Sequence, residues 1–399
     1  MAGPRYTISK AIREEYKVFE LKEGDLKKFA NISLELFPYL KEVKSIDFKV
    51  YFRVDFEMVE IITPKNFSDD QIDLVISARN IDYANLEICV ERRDYAKFEL
   101  LIQNVRDRKI EQLLKSDPSL DRKTIMTFAD LSAASQMIVR GGINKTVAAK
   151  AKEAAGRLIE NLMDSHVAIG TLSRMILADE TLYDHSAAVA MIAGIISRDL
   201  LRMSREEAEK IARAGLYHDV GKTCVPGQIL NKPGRFTPEE FEVIKQHTHL
   251  GHDELIKAIH KGAPIEPEVA RVALEHHEKF NGGGYPMGKR GRLEEHAQGI
   301  HPYARVVMIA DVYSALLMKR VYKEAYDQER SLAIMRSLAA TDYDPMIWHK
   351  FELSLTQSID FYTALDHYRE QVKDKGRIIV MGDKGHLLEE LSKSKKAAS

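Results

Sequence analysis

The chain has 399 residues, 45% of them hydrophobic and 30% charged, which is the composition of an ordinary globular protein. The length exceeds what one hydrophobic core usually spans, so we expect two domains. The net charge of −1 gives no whole-molecule attraction to nucleic acid polymers or to an anionic membrane. The two cysteines exclude a disulfide framework and a thiolate zinc site, and they fit a reducing cytoplasm.

The first part of the chain carries the strand signals. The segment 46–63 alternates apolar and polar residues, with the apolar ones at Phe48, Val50, Phe52, Val54 and Phe56. A period of two predicts a half-buried strand. A helical stretch near 69–79 and a second alternation at 86–90 complete a small α/β domain over 15–104. It shows no nucleotide-binding glycine loop or metal cluster, so we expect a regulatory, docking or dimerising module.

Helical patterns dominate the rest. The charged segment 106–124 contains Asp117-Pro118 and is predicted to be a linker. Helical periodicity then continues from 125 to about 372. The longest apolar run, 187–196, has ten residues, whereas a bilayer span needs about 20, so we expect a buried helix and no membrane segment.

These patterns predict an α+β chain of two domains. A small N-terminal α/β domain with its linker would occupy 1–120, and an all-α bundle would occupy 121–375. A short strand at 378–380 and a flexible tail would make up 376–399.

Ten of the fourteen histidines lie between 185 and 301. They fall in short motifs together with carboxylates: Asp184-His185, His218-Asp219, His247, His276-His277 and Asp311. Neutral imidazoles and carboxylates together bind divalent first-row metals, and the residues alone admit iron, manganese, zinc or nickel. The other histidines of this region are expected to be surface or core residues.

His218 and Asp219 are predicted to end a helix that begins at Ser204. Adjacent helical residues point about 100° apart, so both could reach a metal, and Asp219 could bridge two ions. Lys222 would share the face of His218 if the helix continued. There its charge would suit a phosphate oxygen. Two metals holding a hydroxide between them are the arrangement for phosphodiester hydrolysis.

Several separated motifs resemble the HD-GYP family, a branch of the HD phosphohydrolase superfamily. They are DHSAAVA (184–190), HDVGK (218–222), KQHTHLG (245–251), HHEKFNGGGYP (276–286), ARVVMIADVYSAL (304–316) and KRVYK (319–323). The resemblance covers about 150–350. It implies an all-helical bundle that hydrolyses cyclic di-GMP to pGpG and GMP, with cyclic GMP-AMP the substrate of some members.

The resemblance also implies residue roles. The metal ligands would be His185, His218, Asp219, His247, His276, His277 and Asp311. They would hold two ions, iron or manganese, bridged by Asp219. Lys222 would be catalytic beside Asp219. The substrate contacts would be Lys222, Arg320, Lys323, Gly284, Tyr285 and Pro286. The Gly-Tyr-Pro loop would also contact a signalling protein, and Arg305 would pair with a carboxylate for a structural purpose.

The sequence departs from the family pattern at three positions. Thr181 replaces a glutamate that supports a third metal in some members, so we expect two ions. Asn281 and Ser314 replace aspartates and are expected near the substrate side. These changes leave open a low-activity module that senses a cyclic dinucleotide or docks a protein. A nucleotide phosphohydrolase of the wider superfamily and a homodimer also remain open.

Overall fold

The computed structural model describes residue 8 and residues 10–32, 34–54, 56–81, 86–116, 120–164, 184–230, 232, 235–291, 299–318 and 326–356. One compact unit spans residues 1–352, and residues 353–399 form a second. Every contact described below lies within the first unit. The predicted strand at 378–380 and the tail lie outside the described residues.

An antiparallel sheet occupies the N-terminal part, in the order β1-β4-β3-β5-β2. Its strands are β1 (Lys17–Glu20), β2 (Phe29–Ile32), β3 (Val50–Val54), β4 (Glu57–Ile62) and β5 (Glu87–Glu91). Helices α1 (Lys10–Glu15), α2 (Asp69–Ile81) and α3 (Tyr95–Ser116) accompany it. The predicted helix before the second alternation is therefore confirmed as α2 followed by β5.

The prediction of one strand over 46–63 is wrong. β3 and β4 form a hairpin in which Phe52 lies opposite Val59. Phe56 lies in the turn between them and is 57% exposed, although the alternation placed it on the buried face. Val54 pairs with Glu57, and the sequence between them contains neither glycine nor asparagine, so the usual signal of a tight hairpin is missing.

Both faces of the sheet are covered, which is why the strands are more than half-buried. On one face Phe52, Val59 and Val90 pack with Phe98 and Ile102 of α3. On the other face Tyr51, Met58 and Cys89 form a smaller apolar cluster. Tyr51 was expected among the solvent-facing residues, and it is buried because this second cluster covers it.

The predicted linker 106–124 is largely helical. Helix α3 continues to Ser116 and buries Val105, Ile110 and Leu113. These apolar residues recur on one face of the helix, and the charged residues occupy the other. A charged composition alone does not distinguish such a helix from an open linker, which explains the error.

The remaining described elements are helical, as predicted. They are α4 (Arg122–Gly141), α5 (Lys145–Asp164), α6 (His185–Ile195), α7 (Arg205–Tyr217), α8 (Gly227–Leu230), α9 (Pro238–Lys245), α10 (His247–His260), α11 (Pro267–Glu275), α12 (Pro302–Leu317), α13 (Gln328–Asp342) and α14 (Pro345–Thr356). Helix α6 is buried from Ala187 onward, as its apolar run predicted. Across the described residues, no helix combines the length and apolar character that a bilayer crossing needs.

Close packing of α6 against α7 sets the geometry of the bundle. Ser204 caps α7 and forms a capping box with Glu207, as predicted. Further along α7, a Cβ on Gly215 would lie 2.7 Å from the Cα of Ala190 in α6. Only glycine permits this approach. The start of α6 and the end of α7 therefore meet, and these are the positions of His185 and His218.

Candidate metal centre

The structure brings all seven predicted metal-binding residues into one cluster. Five lie at helix ends, because His185 and His247 begin α6 and α10, and His218, His276 and His277 follow α7 and α11. Asp219 follows His218, and Asp311 projects from the middle of α12. Helices that converge on one point thus deliver donors that are far apart in sequence.

One group of donors, here called the His247 set, consists of Asp219, His247, His276 and His277. Oδ1 of Asp219 lies 3.4 Å from Nε2 of His247 and 3.7 Å from Nε2 of His276. The two imidazole nitrogens are 3.3 Å apart. One donor atom from each of the four residues lies within 4.8 Å of the others, which is the spacing of atoms around one metal ion.

A second group, the His185 set, shares the same aspartate and includes His185 and His218. Oδ2 of Asp219 lies 3.2 Å from Nε2 of His218 and 3.9 Å from Nε2 of His185. Oδ1 of Asp311 lies 3.0 Å from Nε2 of His185 and 3.8 Å from Nε2 of His218. The two oxygens of Asp219 therefore face two different groups of imidazoles.

Backbone carbonyls orient three of the histidines. Nδ1 of His218 contacts the Gly215 carbonyl at 2.7 Å, and Nδ1 of His247 contacts the Ile244 carbonyl at 2.7 Å. Nδ1 of His276 lies 3.0 Å from the Ala273 carbonyl. A carbonyl can only accept, so each Nδ1 must donate, and the Nε2 atom of each ring faces Asp219 in the cluster.

Charges in the cluster favour a cation. Burial lowers the pKa of His247 to about 4, and burial also lowers the pKa values of His185 and His277. Burial opposes ionisation of Asp219, but Lys222 and His218 outweigh it and hold its pKa well below the usual value. Burial likewise opposes ionisation of Asp311, whose pKa is held low chiefly by its contact with His185.

The cluster also contains polar atoms that its own residues leave unsatisfied. His218 Nε2 and Asp219 Oδ1 are buried and have no hydrogen-bond partner of ordinary geometry among the described residues. Such atoms are costly unless something pairs with them. Neutral imidazole nitrogens and anionic carboxylate oxygens are the donors that a divalent cation requires. The residues therefore fit a metal ion.

Lys222 is placed differently from the prediction based on a continuing helix. Helix α7 ends at Tyr217, and a tighter 3₁₀ turn covers Val220–Cys224. The Lys222 ammonium consequently pairs with Oδ2 of Asp219 instead of sharing a helical face with His218. Its side chain is 36% exposed, so it lies at the mouth of the cluster.

Gly221 is a residue whose importance the sequence analysis missed. A Cβ at this position would lie 1.9 Å from the carbonyl oxygen of His247 and 2.4 Å from the amide nitrogen of Gly251. Glycine therefore allows the turn that carries Asp219 and Lys222 to lie directly on α10. The motif gave one hint, since a glycine follows the His-Asp pair by two positions.

The Gly-Tyr-Pro loop, residues 284–286, adjoins the cluster. The Tyr285 ring stacks on His277, with centroids 4.7 Å apart. A Cβ on Gly284 would lie 2.2 Å from the Lys279 amide nitrogen, so the loop folds tightly against its own start. The buried Glu278 carboxylate accepts hydrogen bonds from the amides of Met287 and Lys289. Glu278 thus fixes the loop, a role that the sequence analysis did not assign.

Ser314 does not lie where the sequence predicted, on the substrate side. It is fully buried, and its Oγ lies 3.1 Å from Nδ1 of His185. The ring of His185, the first residue of α6, is therefore held by Ser314, a side chain of α12. Asn281 is exposed and accepts a hydrogen bond from the Gly283 amide, which shapes the glycine-rich turn.

The remaining predictions concern Arg305, Arg320, Lys323 and Thr181. Arg305 pairs with Asp344 at 3.1 Å and donates to the Ile300 carbonyl, which confirms its structural role. Arg320 and Lys323, predicted to hold substrate phosphates, lie outside the described residues, as does Thr181. Their roles stay predictions.

Comparison with known proteins defines the class first. Residues 171–347 match the family model described as HD domain, so this region is similar to HD domains. The bundle also resembles a solved structure, Bd1817, a HDG"Y"P protein from Bdellovibrio bacteriovorus. That match has a TM-score of 0.52 and 16% identity, and it covers 81% of this chain and 98% of the other. At this identity it shows the fold alone.

Curated relatives then confirm the resemblance to the HD-GYP branch. The cyclic di-GMP phosphodiesterase response regulator RpfG of Xanthomonas campestris is 35% identical over 179 residues, covering 44% of this chain and 45% of the relative. The cyclic di-GMP phosphodiesterase of Thermotoga maritima is 35% identical over 173 residues, covering 43% and 44%. A 3'3'-cGAMP-specific phosphodiesterase 3 of Vibrio cholerae is 34% identical over 183 residues, covering 46% and 37%. The chain spans less than half the length of these relatives.

Replacing Ser314 with alanine should weaken metal binding roughly 10- to 100-fold, because His185 loses the side chain that holds its ring. The measurement is calorimetric titration of metal-free protein with Mn²⁺. Ser197→Ala is the matched control, since Ser197 is equally buried but lies just after α6 and donates locally to the Ala193 carbonyl. Equal Mn²⁺ affinity in both variants would contradict the role of Ser314.

Replacing Gly221 with alanine should lower the free energy of unfolding by about 1–3 kcal/mol, because the added methyl overpacks the turn against α10. It should also weaken Mn²⁺ binding, since Asp219 and His247 are forced apart. Urea unfolding and the same titration measure the two effects. Gly24→Ala, where a Cβ meets no atom within 4 Å, is the control. Wild-type behaviour of Gly221→Ala would show that the turn relaxes without disturbing the cluster.

Proposed function

We propose that this protein is a metal-dependent phosphodiesterase that hydrolyses cyclic di-GMP. The observation that carries the proposal is the position of Asp219, whose two carboxylate oxygens face two separate groups of imidazoles. A carboxylate in this position suits two ions side by side. Two adjacent ions are the arrangement that stabilises both oxygens of an in-line phosphoryl displacement.

Each proposed ion has its own donors. The His247 set would hold one ion, and the His185 set together with Asp311 would hold the other, with Asp219 shared. When bound, the ions would supply Lewis acidity toward the phosphate and lower the pKa of a water nucleophile. Nitrogen and oxygen donors without thiolate suit iron or manganese, which are the metals we propose.

Residues of this chain would recognise the anionic substrate. The Lys222 ammonium lies at the mouth of the cluster, against the shared carboxylate, where a phosphate oxygen would approach. Its charge would stabilise the negative charge that develops at phosphorus. Tyr285, stacked on His277, places an aromatic ring beside one of the proposed metal ligands. An aromatic face of this kind suits a nucleobase.

The substrate assignment draws on the relatives. Those named above include cyclic di-GMP phosphodiesterases and a cGAMP-specific phosphodiesterase at similar identity. We propose cyclic di-GMP as substrate and pGpG or GMP as product, with cyclic GMP-AMP as the competing substrate. Docking of a signalling protein on loop 284–286 and homodimer formation stay predictions.

The proposal is tested by assaying cyclic di-GMP hydrolysis under anaerobic conditions and measuring metal content on the same sample. We expect two ions per chain and release of pGpG or GMP, with both lost in Asp219→Ala. Asp253→Ala is the control, because this aspartate is exposed on α10. Cyclic GMP-AMP assayed in parallel decides between the two substrates.

Two other outcomes would change the assignment. Two ions with tight cyclic di-GMP binding and no product would overturn the enzyme in favour of a sensor. Hydrolysis of dGTP without hydrolysis of either cyclic dinucleotide would indicate a nucleotide phosphohydrolase instead.

Lys222→Ala should lower kcat roughly 10²- to 10³-fold while metal content is retained, because the ammonium contributes charge but no metal-binding atom. Lys257→Ala is the control, since that lysine is exposed on α10 and pairs with Glu254. If metal content fell as far as in His218→Ala, Lys222 would instead be needed to assemble the cluster.

A further inference from the structure

An open cleft lies between α3 and the pair α4 and α5, and it is here called the α3–α4 cleft. Its volume is about 700 Å³. Phe98 and Ile102 of α3, Met137 of α4 and Val147 of α5 supply apolar walls. This volume and lining fall in the range of sites that enclose a small organic molecule. None of the residues of the candidate metal centre lines it.

Positive charge exceeds negative charge at the cleft, where Arg106 and Lys150 line the wall together with Glu99. Arg106 is half-buried there, and its guanidinium contacts the Ser132 hydroxyl at 3.4 Å and the Tyr39 ring at 5.6 Å. Neither Arg106 nor the exposed Lys150 forms an ion pair with any residue in the described part of the chain. One carboxylate, Glu99, also lines the cleft. It lies seven residues from Arg106 on the same helix, about 10 Å along the axis.

We propose that the α3–α4 cleft binds an amphipathic carboxylate, such as a medium-chain fatty acid. Its apolar body would lie against Phe98, Ile102 and Met137, and its carboxylate would pair with Arg106. A planar guanidinium binds a carboxylate through two parallel hydrogen bonds, which makes Arg106 the better anchor than Lys150.

The anchor is connected to the metal centre through one serine. The buried Ser132 hydroxyl accepts from Arg106 at 3.4 Å and from Gln136 at 3.5 Å, and it donates to Oδ2 of Asp184 at 3.4 Å. Asp184 in turn caps α6 by accepting from the Ala187 amide at 2.9 Å. His185, one residue further, belongs to the cluster.

These hydrogen bonds are long and therefore weak, so a ligand bound in the cleft can alter them. A carboxylate in the cleft would draw the guanidinium away from Ser132, because a charge-assisted hydrogen bond is stronger than one to a neutral hydroxyl. Without that donor the Ser132 hydroxyl is less polarised and donates more weakly to Asp184. Occupancy of the cleft would therefore loosen the first turn of α6, next to His185.

Binding is tested by calorimetric titration of the full chain with decanoate, and with decanol as the uncharged comparison. We expect decanoate to bind with a stoichiometry of one, roughly tenfold or more tightly than decanol. Arg106→Leu should lose at least that factor, and Met137→Trp should abolish binding by filling the cleft. Failure of decanoate to bind, or equal affinity for decanol, would overturn the site.

Matched controls separate the cleft from general damage. Arg108→Leu removes an exposed arginine of α3 that contacts the Glu42 carbonyl. Val139→Trp adds the same bulk to an exposed position of α4 outside the lining. Both controls should bind decanoate as the wild type does. Loss of binding in the controls as well as in the cleft variants would overturn the assignment of Arg106 and Met137.

The connection is tested separately by hydrogen exchange of the α6 amides with and without decanoate. Exchange at 186–188 should rise with decanoate in the wild type and stay unchanged in Ser132→Ala, which keeps Arg106 and hence decanoate binding. No rise in the wild type, or an equal rise in Ser132→Ala, would overturn the connection. Neither readout requires bound metal or turnover, so failure here is distinct from failure of the proposed phosphodiesterase.

Discussion

The arrangement of this bundle depends on one buried carboxylate that is shared between two groups of imidazoles. Asp219 is ionised although it is buried, and desolvation of an ion costs several kcal/mol in a protein interior. Lys222 and His218 outweigh the effect of burial and keep the pKa of Asp219 well below its usual value. Within the part of the chain that the structure describes, one oxygen of Asp219 nevertheless lacks a hydrogen-bond partner, as does Nε2 of His218. The fold therefore holds charge and lone pairs together in a way that a bound cation would relieve.

Helix termini make this concentration of donors possible. A residue at a helix end can project along the axis direction, so several helices can direct donors to one point without crowding their backbones. Gly215 and Gly221 supply the close backbone approaches that this convergence needs, one between α6 and α7 and one between the turn after α7 and α10. The cluster is thus a property of packing between elements and not of any single motif.

The sequence predicted which residues cluster through its spaced histidine and carboxylate motifs, and the resemblance to the HD-GYP family selected the seven donors among them. It also predicted the helical character of the described bundle and the buried helix α6. It did not predict the hairpin at Phe56, which lacks a glycine or asparagine, or the tight turn at Lys222, where Gly221 was the one available signal. Ser314 was misplaced for a different reason. A serine carries no charge, so only the three-dimensional contact with His185 reveals its position behind the cluster.

The contrast between the histidines has an evolutionary consequence. His218, His247 and His276 are oriented by carbonyl oxygens, and every amino acid supplies the same carbonyl. Substitutions at Ile244 or Ala273 can therefore change packing without removing the acceptor. His185 depends on a hydroxyl that one nucleotide change can delete. The four histidines therefore differ in how easily a mutation removes the group that orients them. We expect substitutions near His185 to be the first to change the affinity of the centre for a metal ion or its preference among ions.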